Sequence, residues 1–252
     1  MPNFQPVTRE HHMNKRWQRR TSYAFAAQDA VMPLVAADLP NAMMAMPLGF
    51  IQQGEGYVPA AILGSQPGKN LFVAPDGRWV GNYVPAVLRG YPFLLANSQD
   101  GQKVLCVDEG SGLLSDGSDG EAFFGDDGQP AQTVSDLLAF LTHIEQSRVV
   151  TVAACAVLKK HNLLQPWSTD SGERLFAGLY QVDEAALNAV PDEAFLELRQ
   201  AGSLPIAYCQ LLSMQHLPSL GKLAEAAAQT AANIVDLKEF LNSNDTISFS
   251  NF

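Results

Sequence analysis

Arg78 and Arg89 are the residues of this sequence best placed to do chemistry, because each is a cation set in apolar and aromatic text beside Trp79, Tyr83 and Tyr91. A guanidinium among aromatic rings can stack on a ring face or grip the carboxylate of a ligand. It can equally serve the fold, by pairing with Asp76 or with a backbone carbonyl. Arg78, Trp79, Tyr83, Arg89 and Tyr91 therefore form the candidate ligand-binding set.

Other reactive residue types lack the spacing that their chemistry needs. His143-x-Glu145, followed by His161 or His216, has the order of a two-histidine, one-carboxylate iron triad. Residues two apart on a helix face different sides, so solvated helix positions are the simpler reading. The adjacent pair His11-His12 carries no metal-ligand spacing either. No metal site is expected. Cys209 lies near His216, but a reactive thiolate needs an orienting base or positive charge, and no motif supplies a third member. With no Gly-x-Ser-x-Gly elbow in the chain, no catalytic residue is assigned. Gly64 to Asn70 imitates a phosphate loop, with its glycines one residue too close and Asn70 where a magnesium-holding Ser or Thr belongs. Gly54 and Gly56 open a dinucleotide fingerprint that Pro59 then breaks. No cofactor is implied.

The elements that must position these residues follow from turn chemistry and periodicity. Ala74-Pro75-Asp76-Gly77 has the composition of a hairpin turn. Asn70 to Gly90 then reads as strand, turn, strand and short helix, with Pro85 suited to the helix start and Gly90 to its end. Tyr91 to Ala96 and Lys103 to Asp108 flank a polar Asp-Gly loop and predict a second hairpin. Thr133 to Leu164 is the strongest helical stretch, capped by Thr133 or Ser135, with a break expected near Ser147-Arg148 ahead of the β-branched run Val149 to Val152. Beyond it the reading is a strand over Leu175 to Val182, a short helix after Asp183, a helix from Pro191 to Ala201, a buried strand over Leu204 to Leu212, and a helix from Leu217 to Leu241. Residues 242–252 read as a tail. The expected class is α+β, an antiparallel β-meander in the N-terminal half covered by helices of the C-terminal half. Residues 1–30 form a basic arm and 31–252 a single domain, β-rich over 45–130 and helix-rich over 131–241.

At 252 residues and a net charge of -10, the chain is long enough for a substantial core and too acidic for general affinity to nucleic acid or anionic membrane. The charge is uneven. Residues 8–20 carry Arg9, Lys15, Arg16, Arg19 and Arg20 against Glu10, a local +4 on a body of -14. Such an arm can contact its own acidic surface, a partner, or nothing. Asp108 to Gly128 holds seven carboxylates among glycines without the EF-hand order, and reads as a solvated loop. Met43, Met44 and Met46 read as adaptable core. No run of about 18 apolar residues offers a membrane span, and the start lacks the order of a secretory signal. Cys106, Cys155 and Cys209, odd in number and in apolar context, read as free thiols. The expected setting is the cytoplasm.

The text from Gly68 to Phe93 resembles the bacterial SapC family, through Asn70-Leu71-Phe72, Asp76-Gly77-x-Trp79, Tyr83-x-Pro85-Ala86 and Arg89-x-Tyr91-Pro92-Phe93. Leu105 to Asp108, Phe123-Phe124 before Asp126-Asp127-Gly128, Gly178 to Leu187 and Gly202-Ser203-Leu204 extend the likeness over about residues 30–222. The family is named for a protein encoded beside a surface-layer secretion system, and related genes occur near halogenase-like proteins, cupin-like proteins and outer-membrane receptors. What the resemblance implies is a non-catalytic accessory or ligand-binding protein that acts through a protein partner in surface-layer export or in a halogenase- or receptor-linked pathway. The alternatives are an enzyme of unassigned reaction, with a fold-assembled site around Arg78 and Arg89, and a homo-oligomeric structural protein.

Overall fold

The computed structural model describes residues 2–98, 100–167 and 178–242, with side chains as far as residue 230. The first half runs β1 (Phe4–Pro6), α1 (Arg9–His12), β2 (Arg16–Trp17), β3 (Val31–Pro33), α2 (Leu39–Ala42), β4 (Leu48–Gln53) and β5 (Gly56–Ile62). It continues with α3 (Ala86–Gly90), β6 (Phe93–Asn97), β7 (Lys103–Asp108), β8 (Leu114–Ser115) and β9 (Glu121–Ala122). Then follow α4 (Gln132–Lys160), β10 (Leu164–Pro166), β11 (Leu179–Val182), α5 (Glu184–Asn188), α6 (Asp192–Gln200), α7 (Ser203–Ser213) and α8 (Leu217–Asn242). This is an α+β fold, with antiparallel sheets in the N-terminal half and helices mostly in the C-terminal half.

Among the described residues the strands fall into three sheets. β4 and β5 form a hairpin with Phe50 opposite Pro59, and this pair sits inside a five-stranded sheet ordered β10-β11-β4-β5-β3. Two of its strands come from the second half of the chain, so the halves share one sheet. The hairpin expected after Tyr91 is present as β6 and β7, and β1 adds to its free edge with Phe4 opposite Asp108. β2 lies between β8 and β9, which lays the basic arm against the acidic loop. Lys15 pairs with Glu109 at 3.3 Å and Arg19 with Glu121 at 2.7 Å.

Among the described residues two apolar cores result. The larger gathers Phe50, Met46, Leu48, Ile62, Leu63, Leu158 and their neighbours, and the smaller packs Trp17, Phe93, Val107 and Phe123. Met46 is fully buried, but Met44 is 63% exposed, so only part of the methionine cluster is core. His12 is also fully enclosed, its ring 5.0 Å from that of Phe123, and burial lowers its pKa below the ordinary 6.5. α4 joins the cores, since Leu137 and Leu141 meet the smaller and Ala154, Cys155 and Leu158 enter the larger.

Four local expectations are corrected. α4 runs unbroken through Ser147-Arg148, because Thr151 Oγ1 donates to the Ser147 carbonyl and accepts from Ala36 N, while Ser147 Oγ accepts from Ala37 N. Tertiary bonds thus hold the β-branched run helical against its propensity. The residue before α4 is Ala131, with no side-chain cap, and Thr133 and Ser135 lie inside the helix. Leu204 to Leu212 belongs to helix α7, since an apolar run buried on several sides carries no period to separate strand from helix. Asn70 to Trp79 makes only the single bridge Val73 to Trp79, because Trp79 turns inward to stack on Phe72 and to donate to the Tyr83 carbonyl. The helix ends fare better. Asp183 Oδ1 accepts from Ala186 N at the start of α5, and Gly202, at φ +71°, follows α6 in a backbone region open to glycine. Of the strand expected over Leu175 to Val182, residues 175–177 lie outside the described residues, as do 243–252 of the tail.

Candidate functional site

The short helix α3 and the residues that close it organise the region of interest. Pro85 precedes α3 and has no N–H to spend, so the first free donor is Ala86 N, which Asp38 Oδ1 accepts at 3.0 Å. Asp38 is buried, and its other oxygen accepts from Val35 N at 3.3 Å. The Tyr83 hydroxyl donates to the same Oδ1, and Arg89 brings Nη2 within 3.7 Å of Asp38 and donates to the Tyr83 hydroxyl at 3.3 Å. Burial first, and the Asp38 carboxylate second, raise the Tyr83 phenol above its ordinary range, with Arg89 opposing. Tyr83 therefore stays a neutral donor. Arg89 also lies over the rings of Tyr83 and Phe140, at 5.6 and 5.1 Å from their centroids. Tyr83 and Arg89 are thus brought together, around a carboxylate that nothing in its local text singles out.

Tyr91, just past α3, separates two cavities. Its ring stacks on Phe25 at 3.8 Å and its hydroxyl donates to Asp108 Oδ2 at 3.1 Å. Burial, followed by the Asp108 charge, pushes its pKa up to about 12. On one side lies a cavity of about 620 Å³ between α3, β3, β6 and α4, with walls that include Phe25, Val31, Leu88, Leu95, Leu141 and Ile144. Among the described residues, its ionisable lining besides Tyr91 is acidic: Asp29, Asp108 and Glu145. Asp29 has no side-chain hydrogen bond or ion pair among the described residues, and partial burial raises its pKa. On the other side, a cavity of about 400 Å³ is reached by Arg19, Arg20 and Arg89.

The SapC family model matches residues 7–220, from the basic arm into the start of α8. The chain belongs to the SapC family. No curated protein and no solved structure matches it. The SapC match takes in α3, the Asp38 cluster, the smaller cavity and all of the larger cavity's lining except Pro2 and Phe4.

The remaining candidates of this SapC chain stand in different relations to that cluster. Arg78 is 74% exposed and pairs with Asp76 at 2.6 Å across the turn, so it does not join Arg89. Trp79 supports the cluster from behind, stacked on Phe72 with Nε1 bonded to the Tyr83 carbonyl. Glu145 pairs with Arg148 and Lys103, at 2.8 and 2.7 Å, and His161 with Glu197 at 2.9 Å. Among the described residues no three His, Cys, Asp or Glu side chains come together as metal ligands. Burial raises the pKa of all three thiols, that of Cys155 to about 12. No helix of the described residues is long and apolar enough to cross a membrane.

Proposed function

We propose that this SapC-family chain is a non-catalytic accessory protein of the cytoplasm that holds a small apolar molecule beside α3 and acts through a protein partner. The observation that carries the reading is the cavity of about 620 Å³, apolar over most of its wall and floored by the helix that the Asp38 cluster fixes. That volume falls within the roughly 300–1,000 Å³ of small-molecule sites. A partner surface is supported by α4, which leaves Val149 and Val150 more than half exposed and Val152 at 40%. Isolated exposed apolar residues are ordinary; three within four positions of one helix favour contact with another protein. We read that partner, from the family resemblance, as one belonging to surface-layer export or to a halogenase- or receptor-linked pathway.

Native mass spectrometry of the protein purified gently from its own cells tests this. The expected spectrum shows one small molecule per chain, absent from Ile144→Trp, which fills the cavity, and a co-purifying protein lost from a Val149→Asp, Val150→Asp double variant. A bare chain in the parent protein would overturn the proposal. An enzyme is the second reading, favoured by the contact of Arg89 with Tyr83 and Asp38. Chemical conversion of the retained molecule by the parent, and not by Arg89→Gln, would select it.

A further inference from the structure

The smaller cavity, of about 400 Å³, shares Tyr91 and Phe93 with the apolar one but presents the opposite charge. Arg19, Arg20 and Arg89 line it, against one carboxylate, Asp136, whose Oδ1 already accepts from Gln132 Nε2 at 2.7 Å. Arg89 also meets Asp38 at 3.7 Å and Arg19 meets Glu121 at 2.7 Å, but neither carboxylate lines the cavity, so the excess there is of N–H donors and not of net charge. Trp17 is 6% exposed, and its indole Nε1 and the Arg20 Nε are both buried without a hydrogen-bond partner among the described residues. A buried donor left in that state has given up its bond to water and gained none in return. α4 begins at the same place: Thr133 of its first turn lines the cavity, and Ala131 sets no side chain on the free N–H groups. The start of so long a helix carries roughly half a positive charge.

We propose that this cavity binds the oxyanion of a small organic acid, a phosphate or carboxylate carried on an apolar or aromatic body. The guanidinium groups and the start of α4 match the anion. Trp17, Phe93, Leu137 and Phe140 offer the body a face on which to lie. Arg20 is already oriented, since its Nη1 donates to the carbonyls of Arg89 and Tyr91 at 2.7 and 3.3 Å. Arg19 is 74% exposed, and its pairing with Glu121 is a solvent-screened surface contact that a bound oxyanion can replace. The inference rests on this donor-rich wall alone and stands whatever fills the apolar cavity.

The test is a titration of the full chain with phenyl phosphate, benzoate and inorganic phosphate, by calorimetry and by the indole N–H resonance of Trp17, assigned with Trp17→Phe. One saturable site for phenyl phosphate or benzoate is expected, with that resonance shifted. Affinity should fall about tenfold in Arg89→Gln and in Arg19→Gln, and weaken with added salt, as charge-assisted bonds require. Arg78→Gln should bind as the parent does. Arg19 is exposed, so its variant keeps the test open even if Arg89→Gln unfolds. Binding of phenyl phosphate alone identifies a phosphate site, and of benzoate alone a carboxylate site. Absence of saturation at millimolar concentrations, affinity unchanged in Arg19→Gln, or inorganic phosphate binding as tightly as phenyl phosphate would overturn the proposal.

Discussion

Asp38 does more for this structure than any residue that its neighbours in sequence would single out. One buried carboxylate accepts from Val35 N, Ala86 N and the Tyr83 hydroxyl, and draws in Arg89. Asp38→Ala should cost about 3 kcal/mol, because it leaves several buried donors unpaired. Urea unfolding measures this, and a loss comparable to that of an ordinary surface substitution would refute it. Glu145 gives a pH dependence. Hydrogen bonds from Arg148 first, and then Lys103, hold its carboxyl down to about 2, against an ordinary 4.5. Its contribution is therefore fully present above pH 4.5 and is lost as pH falls toward 2. The partners lie at the surface, so screening limits it to about 1 kcal/mol. Glu145→Gln should be less stable than the parent by that amount at neutral pH and nearly equal to it at pH 2. A constant gap in urea midpoints at both pH values would contradict the assignment.

Among the elements, α4 and the loop of residues 64–70 show how neighbours decide local structure. The loop imitates a phosphate-binding motif, yet its glycine serves close packing. A Cβ on Gly64 would lie 2.0 Å from the Lys69 carbonyl oxygen and 3.0 Å from Ala30 Cβ. Leu63 N and Gly64 N both bond to the Ala30 carbonyl, and Asn70 N to that of Ala27, which leaves the backbone little room to yield. Gly64→Ala should therefore destabilise by about 3 kcal/mol, an overpacking penalty at the high end of its usual range. Thermal unfolding followed by circular dichroism would show it, and an unshifted midpoint would mean that the loop can relax.

The arm and the acidic loop are joined in one unit across the chain. His12 and Trp17 are both buried, β1 covers the edge of β7, and β2 separates β8 from β9. Deletion of residues 1–20 should thus uncover a strand edge and open the smaller core. Hydrogen exchange should quicken at Lys103–Asp108 and at Phe123 and Phe124, while β4 and β5, within the larger core, keep their protection. Unchanged exchange in β7 would show that the arm is only laid on the surface. The same deletion removes Trp17, Arg19 and Arg20 from the basic cavity, so loss of ligand after deletion is expected for reasons distinct from loss of a partner contact.

What the sequence determined by itself is what short-range chemistry controls. The hairpin after Tyr91, α3 behind Pro85, the Asp183 cap, the end of α6 at Gly202 and the α+β class all follow from φ preferences, capping and alternation within a few residues. The aromatic and turn residues from Asn70 to Phe93 also carried the family likeness, which the SapC match over residues 7–220 bears out. Only the tertiary structure decided that α4 runs through Ser147, where hydroxyl bonds to residues 36 and 37 outweigh β-branched propensity. It alone joined Asp38 to Tyr83 and Arg89 across 45 and 51 positions, and left Arg78 on the surface. The sign of each cavity's lining was equally beyond local reading. Charge in a sequence is a sum, and a binding site depends on which side chains the packing turns toward the same space.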